Sequence, residues 1–159
     1  MKISIIAVGR LKEKYLKEGI AEYSKRLSRF CDLEIIEVED EQAPDNISSA
    51  QELQIKKKEA EKIKKKIKEG SFVAVLDLKG EMPDSVNLAK KLESFFVSGI
   101  SSIVFIIGGS LGLDHELVKS ANYRLCLSHL TFPHQLARLI LLEQLFRSFK
   151  IINGETYHK

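Results

Sequence analysis

The sequence lacks long hydrophobic runs and is poor in cysteine. No apolar stretch approaches the roughly 18 consecutive residues of a membrane-spanning helix, so we expect no membrane segment. The first residues hold one lysine and a short apolar run without a cleavage site, which predicts a strand and not a signal peptide. Cys31 and Cys126 lie in separate apolar runs without a CxxC pattern. We therefore expect free thiols in a reducing cytoplasm and no metal site.

Motifs of several enzyme classes are also absent. The sequence has neither the GK[ST] of a phosphate-binding loop nor the GxGxxG of a dinucleotide site. It has neither a Ser-His-Asp order nor a His-x-x-x-His spacing, which excludes triad and metal-dependent hydrolysis. Patterns of dedicated RNA-binding modules (RNP, KH, zinc knuckle) are missing. Because no repeat or linker divides the chain, we expect a single domain over residues 1–159.

What is present is a globular composition with an uneven distribution of charge. Hydrophobic residues make up 44% and charged residues 30% of the chain, which favours a folded domain. The net charge is only +3, but residues 32–45 hold six acidic side chains at 32, 34, 37, 39, 40 and 41, another at 45, and no basic one. The excess of lysine and arginine therefore lies elsewhere. Such a chain is compatible with an anionic partner such as RNA.

Short apolar runs alternate with helical periodicities along the chain. The predicted strands are 3–8, 33–38, 72–78, 103–107 and 123–127. The spacing of apolar residues predicts helices over 12–27, 47–69 and 134–150, another through Leu88, Leu92 and Phe96, and a short one after Asp114. This alternation predicts an α/β domain with a mostly parallel sheet and helices on both faces.

Two loops in the last third of the sequence are candidates for a ligand site. GGSLGL, residues 108–113, follows one predicted strand, and LSHLTFPHQ, residues 127–135, follows the next. Ligands of α/β sheets bind beyond the carboxyl ends of the strands. From the motifs alone, a tight turn and a ligand loop explain GGSLGL equally well. Capping of the next helix, with Thr131 accepting its amides, is the better explanation of the second loop.

The last helix and the residues after it carry the remaining candidates. The helix is apolar nearly all round, as in a central helix or a subunit interface, and we favour a twofold homodimer. Glu143 and Arg147 are spaced for an ion pair, whereas Arg138 suits either a phosphate contact or a structural ion pair. The sequence ends on Tyr157-His158-Lys159. These side chains suit stacking, proton transfer and phosphate binding, although a disordered tail is the default for terminal residues.

Four motifs occur in order over essentially the whole chain: GGSLGL, LTFPHQLAR, EQLFRSFKI and a terminal YHK. With the opening AVGRLKEKY, they resemble the ribosomal RNA large subunit methyltransferase H family of the SPOUT superfamily. The resemblance implies a trefoil knot near the carboxyl end, a homodimer with a cofactor site near its interface, and S-adenosylmethionine as cofactor. The implied reaction is methylation of N3 of a pseudouridine in 23S ribosomal RNA within the assembled ribosome, in the cytoplasm.

The resemblance also implies roles for individual residues. The implied cofactor contacts are Leu76, Gly108, Leu127, Ser128, His129, Leu130, Thr131 and Phe132. Our own hypothesis, from the residue types and their matched terminal position, is that His158 accepts the proton of the reacting nitrogen, with Tyr157 stacking on or orienting the base. Arg138 and Lys159 are expected to contact RNA phosphates, and no metal is expected to take part.

Three other functions stay open at this point. A related enzyme could methylate a ribose 2′-hydroxyl of tRNA, which product analysis would distinguish. A ribosome-binding factor could keep the fold without turnover, and failure to bind S-adenosylmethionine would favour it. A flavodoxin-like nucleotide-binding module follows from the α/β pattern alone, but the late glycine loop and the missing phosphate motif weaken it.

Overall fold

Strands and helices alternate through the whole chain. The computed structural model describes residues 1–159. The elements are β1 (Lys2–Val8), α1 (Lys14–Leu27), β2 (Asp32–Val38), α2 (Ser49–Lys64), β3 (Phe72–Glu81), α3 (Ser85–Val97), β4 (Ser102–Ile107), α4 (His115–Ser120), β5 (Tyr123–Leu125) and α5 (His134–Ile152). None of these helices combines the length and apolarity needed to cross a membrane.

The five strands form one sheet in the order β2-β1-β4-β3-β5, and every pairing is parallel. The predicted α/β class with a parallel sheet is therefore confirmed. The bounds differ most at α2, which is shorter than the predicted 47–69. It begins after Ser48, whose hydroxyl accepts from the amide of Gln51 in a reciprocal capping box, and it ends before a turn at residues 65–67.

Helices cover both faces of the sheet, as predicted. One core contains side chains of α1, α3 and α5 with the sheet, and a smaller core contains α2 and α4. Fully buried β1 residues alternate between them, with Ile3 and Ile5 in the first and Ile6 in the second. Burial of each such side chain contributes about 1.5–3 kcal/mol.

Helix α5 lies between α1 and α3 on one face of the sheet. This central position explains within a single chain why α5 is apolar nearly all round. Gly19 of α1 permits the close packing, because a Cβ at this position would lie 3.1 Å from a methyl carbon of Leu139. The apolar circumference of α5 is therefore no argument for the predicted homodimer, which stays a prediction.

The chain after β5 passes very close to the end of β3. Leu125 pairs with both Leu76 and Glu81, and the amide of Cys126 donates to the carbonyl of Glu81 at 2.8 Å. A Cβ on Gly80 would lie 2.7 Å from the backbone carbonyl of Arg124, so only glycine fits there without a shift. The implied knot remains a prediction.

Candidate functional site

A cavity of about 720 Å³ lies at the carboxyl ends of β3, β4 and β5. Its lining consists of residues 76–78, 107–113, 125–128, 130–134 and 137. Both loops that the sequence singled out contribute to it, because parallel strands bring their carboxyl ends to the same edge of the sheet. The volume falls within the range of about 300–1,000 Å³ that is usual for small-molecule sites.

The structure brings together most of the residues predicted to contact a cofactor. The cavity is lined by Leu76, Gly108, Leu127, Ser128, Leu130, Thr131 and Phe132. His129 does not line it. Sequence reasoning missed Asp77 and His134, which do. The position of Asp77, directly after an apolar strand, is the signal that could have identified it.

The lining of the cavity is mainly apolar and contains no lysine or arginine. Asp77 supplies its only carboxylate. A ligand with several phosphates would find no cationic partner among these side chains, whereas an apolar ring system and a positive charge would be accommodated. The cavity therefore suits an uncharged or cationic organic molecule.

The glycine loop is a tight turn and a cavity wall at the same time. The amide of Gly112 donates to the carbonyl of Gly109 at 3.0 Å, and Gly112 has a φ of +86°. A Cβ on Gly108 would lie 2.9 Å from the backbone of Gly112. The two explanations that the sequence left open are therefore compatible, since close backbone packing forms the wall of the cavity.

The second loop is held by its own side chains and leaves α5 without a side-chain cap. The hydroxyl of Ser128 accepts from the amide of Leu130 at 3.0 Å, and the thiol of Cys126 donates to the carbonyl of Ser128. The N-cap residue of α5 is Pro133, and no side chain bonds the first amides of the helix. The explanation of this loop as a Thr131 cap is therefore wrong, because the side chain of Thr131 bonds none of these amides.

Arg138 is buried one turn after the start of α5. Its side chain is only 1% exposed, and it donates to Oε2 of Glu37 at 2.7 Å and to the carbonyl of Gly9 at 3.3 Å. Oε2 of Glu37 also accepts from the amide of Leu11. Of the two possibilities open for Arg138, this placement favours the structural ion pair, since no phosphate can reach the guanidinium without displacing Glu37.

His134 lies between this ion pair and the cavity. A Cβ on Gly9, whose φ is +97°, would lie 3.6 Å from Nε2 of His134. Burial, and then the charge of Arg138, lower the pKa of His134. The cavity is therefore lined by a neutral imidazole at pH 7.

The carboxyl-terminal residues are folded against the second half of α5. Tyr157 donates to Oε1 of Glu143 at 3.1 Å, and its ring packs edge-on against Phe146 with 4.9 Å between centroids. Arg147 also donates to Oε1 of Glu143, at 2.6 Å from Nη2, and its Nη1 lies 3.1 Å from Nδ1 of His158. The default of a disordered tail is thus wrong for Tyr157 and His158.

The surroundings of Tyr157 change its acidity. Burial, a hydrogen bond with Tyr23 and the negative charge of Glu143 raise the pKa of Tyr157 to about 12. The phenol therefore stays protonated under physiological conditions and acts as a donor to Glu143.

Comparison with known proteins identifies the family. A family described as "Predicted SPOUT methyltransferase" matches residues 1–158. The chain belongs to the SPOUT methyltransferase family. It is 67% identical to a "Ribosomal RNA large subunit methyltransferase H" of Acetivibrio thermocellus and 65% identical to one of Ruminiclostridium cellulolyticum, over all 159 residues and 100% of both chains in each case. The resemblance seen in the sequence is confirmed.

A solved structure supports the fold of this SPOUT methyltransferase. A probable methylase family protein from Haemophilus influenzae is similar with a TM-score of 0.50, over 99% of this chain and 70% of that chain, at 15% identity. At this identity the similarity concerns the fold alone.

In this SPOUT methyltransferase, the cavity and the tail lie at different ends of α5. Ala137 lines the cavity, whereas His158 contacts Arg147. These ten residues of helix correspond to about 15 Å along its axis. His158 of one chain therefore lies well away from the cavity of the same chain.

The contact with Arg147 also fixes where His158 carries its proton. A guanidinium has only donors, so Nδ1 of His158 must accept in this contact. A neutral imidazole then has its proton on Nε2. In this arrangement the lone pair that could take a further proton is the one engaged by Arg147.

Proposed function

We propose that this SPOUT methyltransferase transfers a methyl group from S-adenosylmethionine to N3 of a pseudouridine in 23S ribosomal RNA within the assembled ribosome. The observation that carries the proposal is the cavity of about 720 Å³ at the strand ends, free of lysine and arginine. It is supported by the names of the relatives, which are ribosomal RNA large subunit methyltransferases. Because ribosomes assemble in the cytoplasm, we place the reaction there.

The residues of the cavity fit S-adenosylmethionine. This cofactor supplies a methyl group that the positive charge of its sulfur already activates. Leu76 and Phe132 offer apolar surface to an adenine, and backbone groups of residues 127–132 offer donors and acceptors to its edge. Asp77 provides a negative charge near a cationic ligand. Holding the methyl carbon in line with the attacking nitrogen is a large part of what such a site contributes.

The reacting base must lose a proton. As N3 gains the methyl carbon and the carbon–sulfur bond breaks, the N3–H bond must also break, and its proton needs an acceptor. We assign this role to His158, with Tyr157 orienting the base. The assignment requires the contact of Arg147 with Nδ1 to open when RNA binds, because that contact occupies the available lone pair. A phosphate of the RNA is the kind of anion that can draw Arg147 away.

The position of the tail favours a homodimer in which each site combines two chains. The tail lies about 15 Å along α5 from the cavity of its own chain. If two α5 helices pack antiparallel about a twofold axis, the tail of one chain approaches the cavity of the other. Exposed apolar side chains flank the cavity, notably Leu130 at 72% and Leu78 at 60% exposure, and a partner chain would cover them.

The two residues predicted to contact RNA, Lys159 and Arg138, have different surroundings. Lys159 is exposed at the end of the tail and keeps its proposed role at a phosphate. Arg138 is better assigned to the fold, where it holds Glu37 and the carbonyl of Gly9.

Transfer of a labelled methyl group tests the proposed function. Purified enzyme and labelled S-adenosylmethionine are incubated with assembled ribosomes, free 23S RNA or bulk tRNA from a source lacking the modification. We expect label only in assembled ribosomes, and digestion should place it on a pseudouridine base. Label in tRNA ribose would assign the enzyme to a different SPOUT reaction. No label, together with no cofactor binding, would favour a ribosome-binding factor.

A further inference from the structure

The segment between β1 and the second turn of α1 has features that the proposed chemistry does not use. Four cations stand close together there: Arg10, Lys12, Lys14 and Lys17. All four are exposed, and Glu13 is the only acidic residue among residues 10–17, which leaves this segment with a charge of 4 − 1 = +3. Arg10, Lys12 and Lys17 form no ion pair, and Lys14 has only an exposed contact with Glu18 at 3.8 Å. These charges are thus free to meet an anion.

An exposed aromatic ring lies among these cations. Tyr15 is 66% exposed and is the only aromatic residue among the strongly exposed large hydrophobic side chains of the chain. Neither core includes it. An aromatic face within a group of cations is the combination on which unpaired bases stack while their phosphates are neutralised.

The placement of these lysines opposes the stability of α1. The helix has no side-chain N-cap bond and no acidic residue in its first turn, where Lys14 and Lys17 stand instead. Cations at this end oppose the helix dipole, whereas α2, α3 and α4 each have a side-chain cap. Residues that destabilise the local structure are found mainly at functional positions.

The backbone of this segment is fixed beside the cavity. The amide of Lys12 donates to Oε1 of Gln135 at 3.1 Å, and Gln135 directly follows the cavity residue His134. The amide of Leu11 donates to Glu37 at 3.0 Å, and the carbonyl of Gly9 accepts from Arg138. The exposed side chains are therefore carried on an anchored loop at the same edge of the sheet as the cavity.

The lysine-rich helix α2 is the main competing surface, and it fits less well. Three of its lysines are already paired with glutamates, in the pairs Lys56–Glu52, Lys62–Glu41 and Lys64–Glu61. None of its residues is aromatic. A solvated helix face explains α2 without a partner.

We propose that residues 10–17 are an RNA-binding surface, with Tyr15 stacking on an unpaired base and Arg10, Lys12, Lys14 and Lys17 contacting the phosphates around it. The inference rests on the proposed function, since it names where this methyltransferase holds the RNA next to its cavity. The buried Arg138–Glu37 pair then acts through this loop by keeping its backbone in place.

Two variants and a matched control test the surface by methyl transfer to ribosomes. Arg10→Gln/Lys12→Gln removes two charges, and Tyr15→Ala removes the ring. Lys25→Gln/Lys66→Gln removes two exposed charges near the opposite edge of the sheet. We expect both surface variants to raise KM for ribosomes about tenfold with unchanged affinity for S-adenosylmethionine and unchanged Tm. The charge variant should also lower the salt dependence of KM by about one unit of slope per lost phosphate contact. The control should match the wild type.

Rescue and cross-linking identify the partner. Tyr15→Phe keeps the stacking face and should restore most of the loss seen in Tyr15→Ala. A photo-cross-linker at position 12 should label ribosomal RNA, and this readout does not need turnover. Wild-type KM and salt dependence in both surface variants, or cross-links to ribosomal protein alone, would overturn the inference. Absence of methyl transfer by the wild type would instead overturn the proposed function.

Discussion

Two arginines on the same helix form ion pairs with glutamates but occupy different environments. Arg138 is 1% exposed and pairs with Glu37, which lies 101 residues away on β2. The side chain of Arg147 is 24% exposed and pairs with Glu143, one turn earlier on α5. The first pair joins distant parts of the fold, whereas the second holds the tail. Residue type and helical spacing alone therefore do not reveal which arginine pairs across the fold and which holds the tail.

The largest effect on stability is expected when Arg138 loses its partner. Glu37→Ala leaves a buried guanidinium without a counter-charge, and this should lower the free energy of unfolding by about 3 kcal/mol. Glu143→Ala is the matched control, because Arg147 can turn to solvent. Losing this ion pair together with the hydrogen bond from Tyr157 should cost about 1–2 kcal/mol. Denaturant unfolding measures both, and equal losses would remove the distinction between the two pairs.

Replacing His158, which contacts Arg147 in the second half of α5, is expected to lower the rate of methyl transfer and not the stability. His158→Ala removes the proposed proton acceptor and should lower kcat about 100-fold or more. Tm and the affinity for S-adenosylmethionine should stay near their wild-type values, since His158 is exposed. His115→Ala, a change at an exposed histidine of α4, is the control and should keep its rate. Wild-type turnover by His158→Ala would disprove the assignment.

Acid should weaken the Glu37–Arg138 pair. Burial by itself raises the pKa of Glu37, but hydrogen bonds from Arg138 and the Leu11 amide, with nearby positive charges, lower it overall. The stability that ionised Glu37 contributes is therefore complete above its unfolded pKa of about 4.3 and is lost as pH falls through the lower folded value. The advantage of the wild type over Glu37→Gln should shrink from pH 6 to pH 3 in denaturant unfolding. A difference that does not change with pH would contradict this.

The smallest expected effect concerns Tyr157. Its pKa of about 12 lies above that of a free phenol, so the stability linked to it is present below pH 10 and decreases as pH rises toward 12. Tyr157→Phe should remove one late-titrating phenol from the ultraviolet absorbance titration. At neutral pH it should lower the free energy of unfolding by about 1 kcal/mol, the value of one hydrogen bond. A titration unchanged by the substitution would show that Tyr157 is not the shifted group.

Much of the fold could be predicted because local patterns determine it. The apolar run of β4 and the helical spacing of α5 gave nearly the observed bounds. Parallel strands then had to bring the two candidate loops to one edge, which is why most of the predicted cofactor residues line one cavity.

What could not be predicted depends on contacts between distant residues. Nothing local indicates that Glu37 meets Arg138, so a phosphate contact and an ion pair were equally open for that arginine. The contact of Cys126 with Glu81 depends on how the chain crosses itself. His129 does not line the cavity. It lies in an irregular loop, where no helical or strand period predicts the direction of a side chain.

Mixed dimers test the central claim most directly, namely that the cavity of one chain works with the tail of another. Thr131→Arg places a cation in the cavity at an exposed position, and His158→Ala removes the proton acceptor. Each variant alone should be inactive as a homodimer. With random pairing, half of the dimers are mixed and each has one complete site, so co-expression should restore about a quarter of the wild-type rate. If cavity and tail act within one chain, co-expression would restore no activity, and the account would be contradicted.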